Sequence, residues 1–151
     1  MKKKRILSVV LMIVMVLSIS ITSFAASNET SYNEWFELMK GLSTKIEAEL
    51  TANEVTSNEH RHIKLEWKRI KCANGYNIQI STDEKFKELV VDRIKPSNSA
   101  IIHQSYSTSI SDLSDETLYI RIRPVCDKKI NGKYHRMYGR WSDTITADLH
   151  K

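Results

Sequence analysis

A chain of 151 residues, 41% hydrophobic and 27% charged, is long enough for one cored domain and too short for several. Its formal charge of +5 is unevenly placed: Lys2, Lys3, Lys4 and Arg5 open the chain, and without these four the balance is 19 basic against 18 acidic residues. A remainder so close to neutral argues against a nucleic-acid partner, and only four glycines with no Gly-rich loop argue against a phosphate-cradling enzyme.

The basic start is followed by an apolar run, Ile6–Ile21, and then by Thr22-Ser23-Phe24-Ala25-Ala26. This layout predicts a secretory signal peptide over 1–25, with small residues at Ser23 and Ala25 directing cleavage after Ala25. The alternative, a retained membrane anchor, is disfavoured because a 16-residue run falls short of the roughly 20 residues a span needs. The first cysteine is Cys72, so lipid attachment at the cleavage site is unsupported, and the end of the chain carries no apolar tail. The expected product is exported, secreted or associated with the envelope, with no membrane span left after cleavage.

Residues 26–45 are expected to form a short helix and a linker. Ser31 and Glu34 have capping-box spacing. Tyr32, Trp35, Phe36 and Met39 then share one helical face, and Gly41 is suited to a left-handed C-terminal residue. That face either docks on the domain or enters a partner's groove. Thr44–Asn58 reads as an edge strand and a loop, although Leu42, Ile46 and Leu50 also fit a continued helix.

From His62 onward the period is two. Ile63, Leu65 and Trp67 alternate with Lys64, Glu66 and Lys68, and Tyr76, Ile78 and Ile80 alternate with Asn77, Gln79 and Ser81. Leu89–Ile94, Ala100–His103 and Thr108–Leu113 are shorter apolar runs. Tyr119–Val125 alternates again, Asn131-Gly132 marks a turn, and Tyr138–Leu149 closes the chain. Short strands at this spacing with little helix predict an all-β sandwich.

Leu113-x-x-x-Thr117-x-Tyr119 has the spacing of a tyrosine corner, in which a tyrosine hydroxyl bonds backbone just upstream. With Leu65-Glu-Trp67, Cys72-Ala-Asn-Gly-Tyr76, Ser81–Phe86, Tyr119-Ile-Arg-Ile-Arg123 and Tyr138-Gly-Arg-Trp-Ser142, it makes residues 46–151 resemble a fibronectin type III domain of the divergent kind found in exported bacterial proteins. The implied fold is an immunoglobulin-like β-sandwich with Trp67, Tyr76, Leu113 and Tyr119 as structural residues. Leu89–Ser107 is longer and less regular than that pattern, and the two cysteines are not part of it. The family strand order would bring Cys72 and Cys126 to one pole, where an exported chain favours a disulfide. Closing a loop of about 55 residues would contribute roughly 4 kcal/mol.

Candidate chemistry is sparse. Arg121, Arg123, Lys128, Lys129, Lys133, Arg136 and Arg140 fall close together with Tyr134 and Tyr138 interleaved, and Asp127 is the one opposing charge. They nominate a basic, partly aromatic final hairpin that contacts an anionic envelope or extracellular polymer, or an acidic protein; the alternative is a solvated face. His60, His62, His103 and His135 show no converging metal-ligand pattern, so neither metal nor cofactor is expected. No G-x-S-x-G or H-E-x-x-H stretch occurs, so no enzyme activity is expected. The resemblance implies an adhesion or binding module. Two other roles fit the same sequence: an exported enzyme inhibitor or regulator using the Cys72/Cys126 pole, and a carbohydrate binder using Tyr106, Tyr134, Tyr138 or Trp141.

Overall fold

The structure, a computed structural model, describes residues 33–56, 60–111, 113, 116–130 and 133–148, with the backbone alone for Ile130 and Lys133. Residues 1–32, with the expected signal peptide, Ser31 and Tyr32, lie outside them, as do Asn131-Gly132 and Leu149. The chain divides into two units, Met1–Glu37 and Leu38–Lys151. Of the first, 33–37 are described; they begin a helix, α1 (33–43), and Trp35 and Phe36 there are exposed.

The second unit holds the rest of α1 and eight strands: β1 (Ala48–Val55), β2 (Arg61–Lys68), β3 (Gly75–Ser81), β4 (Leu89–Pro96), β5 (His103–Ile110), β6 (Leu118–Ile130), β7 (Lys133–Tyr138) and β8 (Ile145–Ala147). They form two antiparallel sheets, β1-β2-β5 and β4-β3-β6-β7, with β8 paired to the start of β6. The all-β expectation therefore holds.

Period-two alternation explains the core. Ile63, Leu65 and Trp67 of β2, Tyr76, Ile78 and Ile80 of β3, and Leu118, Ile120 and Ile122 of β6 are all buried in one cluster between the sheets. Trp67 meets Tyr76 edge to face at 5.1 Å between ring centres, a geometry that favours the ring quadrupoles. The Tyr76 hydroxyl accepts the Ile70 N–H at 2.8 Å. Leu113 is partly buried against the cluster. Tyr119 falls in the outward row of β6 with Arg121 and Arg123 and is half-buried; much of the connection before it, including Ser114 and Asp115, lies outside the described residues.

Three expectations need correction. The helix does not end at Gly41: it runs to residue 43, and the Ser43 and Thr44 hydroxyls bond the Lys40 carbonyl at 2.9 and 2.8 Å. Within the second unit α1 buries Leu38 and Leu42 against Cys126 rather than burying Met39, which is 57% exposed. The edge strand read in Thr44–Asn58 is present as β1, which pairs with β2 at the edge of its sheet. The runs at Ala100–His103 and Thr108–Leu113 are not two strands; their middle is one strand, β5, paired to β2 from His103 to Ile110.

β5 escaped the apolar pattern because its buried start is Gln104. That amide is satisfied locally: Nε2 donates to the Asn98 and Ile101 carbonyls and Oε1 accepts the Asn98 N–H. A buried polar group so satisfied costs little. Arg61 is the charged counterpart. It is fully buried and donates to Asn53 Oδ1 at 2.8 Å, to the Ala147 carbonyl at 2.6 Å and to the Glu116 carbonyl. One guanidinium thus ties β1, β8 and the approach to β6 to β2.

Candidate contact surface: an arginine–aromatic stack and a hairpin arm

The nine residues nominated by sequence do not form one surface. Eight of them fall into two groups, divided where β3 ends at the Gly75–Val125 pair.

Upstream of that point the outer face of β6 carries Arg121 and Arg123. The segment between β7 and β8 folds back across it: Gly139 N–H donates to the Pro124 carbonyl at 2.9 Å and Ser142 N–H to the Ile122 carbonyl at 2.7 Å. The Ser142 hydroxyl accepts the Ile122 N–H at 3.0 Å. Only glycine fits at 139, because a Cβ there would lie 2.5 Å from Pro124 Cγ and 2.6 Å from the Leu42 carbonyl oxygen. This return lays Trp141 between the two arginines, which sit two residues apart on β6.

The result is a five-member stack. The Arg121 guanidinium lies 3.9 Å from the Phe86 ring centre and 4.3 Å from that of Trp141; Arg123 lies 4.2 Å from Trp141 and 4.1 Å from Tyr138. Each such contact contributes about 0.5–2 kcal/mol, more where water is excluded. Phe86 reaches its place with φ of 57°, a left-handed conformation that is costly for an aromatic residue. The Phe86 N–H to Asp83 carbonyl bond, 2.9 Å, holds it there.

The guanidiniums are also anchored from below. Arg121 donates twice to Gln79 Oε1, at 2.9 and 2.7 Å, and Arg123 donates to Asn77 Oδ1 at 3.0 Å. Asn77 and Gln79 in turn donate to the two Asp92 carboxylate oxygens at 2.7 and 3.3 Å. Burial lowers the pKa of both arginines, the neighbouring Arg123 lowers Arg121 further, and Asp92 opposes the shift. The network explains why β3 is buried on both faces.

Downstream, β6 continues to Ile130 and pairs with β7 alone, from Cys126–Met137 to Ile130–Lys133. This two-stranded arm holds Lys128, Lys129, Lys133, Tyr134 and Arg136. Lys129 and Tyr134 are directly opposed, with the ammonium 5.8 Å from a ring that is 78% exposed. Next to them Arg136 donates to both Asp127 oxygens at 2.7 and 2.8 Å. That bidentate pair holds the Asp127 pKa below the ordinary carboxylate range and raises that of Arg136.

Arg140 belongs to neither group. Its side chain is exposed, and its N–H donates to the Leu42 carbonyl at 2.9 Å, satisfying an end carbonyl of α1.

The disulfide expected between Cys72 and Cys126 is not formed. Both are free thiols, with the sulfurs 3.2 Å apart against about 2.05 Å for a bond. Cys126 Sγ is also 2.8 Å from the Cys72 carbonyl oxygen.

Sequence reasoning missed Phe86, Asn77, Gln79, Asp92 and Trp141 as partners of the arginines. A sheltered outer face was signalled only by the two consecutive outward arginines above Asn77 and Gln79. Among the described residues no three His, Cys, Asp or Glu side chains converge on a metal site. A cleft of ≈ 480 Å³ separates the edge strands β4 and β5, lined by residues such as Val90, Asp92, Arg93, Tyr106 and Thr108. No family model, curated protein or solved structure matches the chain.

Proposed function

We propose that the chain is an exported, non-catalytic binding module of fibronectin type III-like fold, acting at the cell envelope or outside the cell. Its contact surface is the β6–β7 arm, and its partner is an anionic envelope polymer. The single observation that carries this reading is the arm itself: two strands continue past β3 and present Lys129, Tyr134 and Arg136 on one face, with Lys128 opposite His135 on the other. A surface of this kind attracts a polyanion through several weak, salt-sensitive contacts. The finer fold reading is supported by the two antiparallel sheets, three strands against five, and by the order of the motifs that carry the resemblance.

The stack narrows the choice of surface. Arg121 and Arg123 are hydrogen-bonded and stacked, so they support the sheet rather than meet a partner. Trp141, with one guanidinium 4.3 Å and another 4.2 Å from its ring centre, is engaged by the side chains of β6 and is half-buried. That weighs against the carbohydrate reading, which needs open, coplanar rings.

The test is binding of the processed chain, Ala26–Lys151, to isolated envelope material at low and high salt, beside the variant Lys128→Glu/Lys129→Glu/Arg136→Glu. Binding that salt releases and the variant lacks is the expected result. Equal binding by both proteins, or by neither, would remove the arm as the contact surface.

A further inference from the structure

The thiol pair is the strongest unassigned chemistry in the second unit. Cys72 lies in the turn between β2 and β3; Cys126 lies on β6 where the arm begins. Their backbones are held together without any covalent bond. The Asn74 side chain accepts the Asp127 N–H at 2.9 Å and donates to the Asp127 carbonyl at 3.2 Å, and the Asn74 N–H donates to the Val125 carbonyl at 3.1 Å. The turn is thereby pinned on both sides of Cys126.

The two sulfurs differ in access. Cys126 is 2% exposed beneath Leu38 and Leu42 of α1, whereas Cys72 is half-buried. The helix can lie this close because residue 41 is glycine: a Cβ there would fall 2.2 Å from Cys72 Sγ. The Cys126 thiol is directed at Cys72, at 3.2 Å from its sulfur and 2.8 Å from its carbonyl oxygen. Donation from Cys126 lowers the Cys72 pKa, while the same contact and burial raise that of Cys126. A more acidic, reachable thiol beside a buried, less acidic one is the arrangement in which one sulfur attacks and the other resolves.

We infer that Cys72 and Cys126 form an oxidation site that takes a small-molecule disulfide as co-reactant, with Cys72 as the attacking and Cys126 as the resolving sulfur. The Cys72 thiolate attacks one sulfur of the disulfide R–S–S–R. A Cys72–S–S–R bond forms, the original S–S bond breaks, and R–S⁻ leaves. The Cys126 thiol then gives its proton to water, and its sulfur attacks Cys72 Sγ. The Cys72–Cys126 bond forms and the second R–S⁻ departs. Two thiols of the protein are oxidised, one R–S–S–R is reduced to two R–S⁻, and the two protons of the protein's thiols are released to water, from which R–S⁻ takes them up. The product joins the root of the arm to the β2–β3 turn. It does not depend on what the arm binds.

The test exposes the protein to glutathione disulfide, stops exchange by acid, alkylates the remaining thiols and determines the mass. The wild type is expected to lose both thiols together and to yield a linked 72–126 peptide. Cys126→Ser is expected to accumulate one glutathione at Cys72. Cys72→Ser is expected to react at least about tenfold more slowly at Cys126, as a buried thiol does. Glutathione adding to Cys72→Ser as fast as to Cys126→Ser would overturn the assigned order. A wild type that stops at the mixed disulfide, or keeps both thiols free, would overturn the site. Should either variant fail to fold, brief alkylation of the reduced wild type decides the order: Cys72 labelled first supports it, and Cys126 labelled first or equally overturns it.

Discussion

Arg121 and Arg136 stand on neighbouring paired strands within the same basic stretch, yet the fold uses them in opposite ways. Arg121 lies where β6 is flanked by β3 on one side and by the returning 139–144 segment on the other. It has two rings and a buried amide oxygen for partners. Arg136 lies where β3 has ended, and its partner is one carboxylate at the surface. The number of strands alongside, not the residue type, decides whether an arginine here stabilises the sheet or is presented to solvent. Stacked charges with water excluded interact strongly; exposed pairs contribute little.

The largest effect that tests this contrast is expected from Trp141→Ala. It leaves Arg121 and Arg123 side by side with no ring between them and exposes Asn77 and Gln79 beneath. A loss of about 2–4 kcal/mol is expected from the ring contacts and buried area, read as the shift in urea midpoint at unchanged slope. A loss below about 0.5 kcal/mol, the usual scale of a surface change, would show that the stack is ornamental. A smaller loss, about 1–3 kcal/mol, is expected for Gln79→Leu. That change strips Arg121 of its acceptor and Asp92 of a donor while keeping the side chain's bulk. A neutral result in the same urea titration would mean that water replaces the amide without cost.

How much of this was legible in the sequence follows the same division. β2 from Ile63 onward, β3 and the first half of β6 could be read because their inward residues are apolar at period two. β5 could not, since its inward row begins with Gln104, whose burial is made tolerable by bonds to Asn98 and Ile101 that no pattern reveals. Arg61 is hidden for the same reason: a charged residue at the head of a strand reads as wet until the carbonyls of Ala147 and Glu116 close on it. The basic hairpin was legible as composition. Its separation into stack and arm was not, because it depends on the chain returning at Gly139 to lay Trp141 on β6. The Met39 face misled because hydrophobicity alone does not say which stripe of a helix meets the domain. Leu38 and Leu42, with Gly41 on the same side, let the helix approach Cys72 and Cys126 closely.

On the arm the expected stability changes are small and the functional ones large. Lys129→Glu/Tyr134→Ala is expected to move the urea midpoint by no more than about 0.5 kcal/mol while abolishing salt-sensitive binding to envelope material. Loss of binding accompanied by a large loss of stability would mean that the arm is part of the core structure after all, and the contrast with the stack would fail.

The smallest expected effect concerns the Asp127–Arg136 pair. The Asp127 pKa is lowered chiefly by its hydrogen bonds from Arg136. The sign is that of a carboxylate favoured in the folded state. Whatever the pair contributes is present above the unfolded-state pKa of Asp127 and disappears as pH falls through its lowered folded value. Arg136→Gln is therefore expected to bring the Asp127 carboxyl back towards the ordinary range in an NMR titration. The difference in stability between the two proteins should be greatest near neutrality and vanish in acid. Since both groups face solvent, that difference will be slight and will shrink further with salt. An Asp127 titration unchanged by the substitution would show that the bidentate contact is not held in solution. The arm would then present Arg136 as a free cation, which strengthens its case as a polyanion contact while removing the one rigid pair near its root.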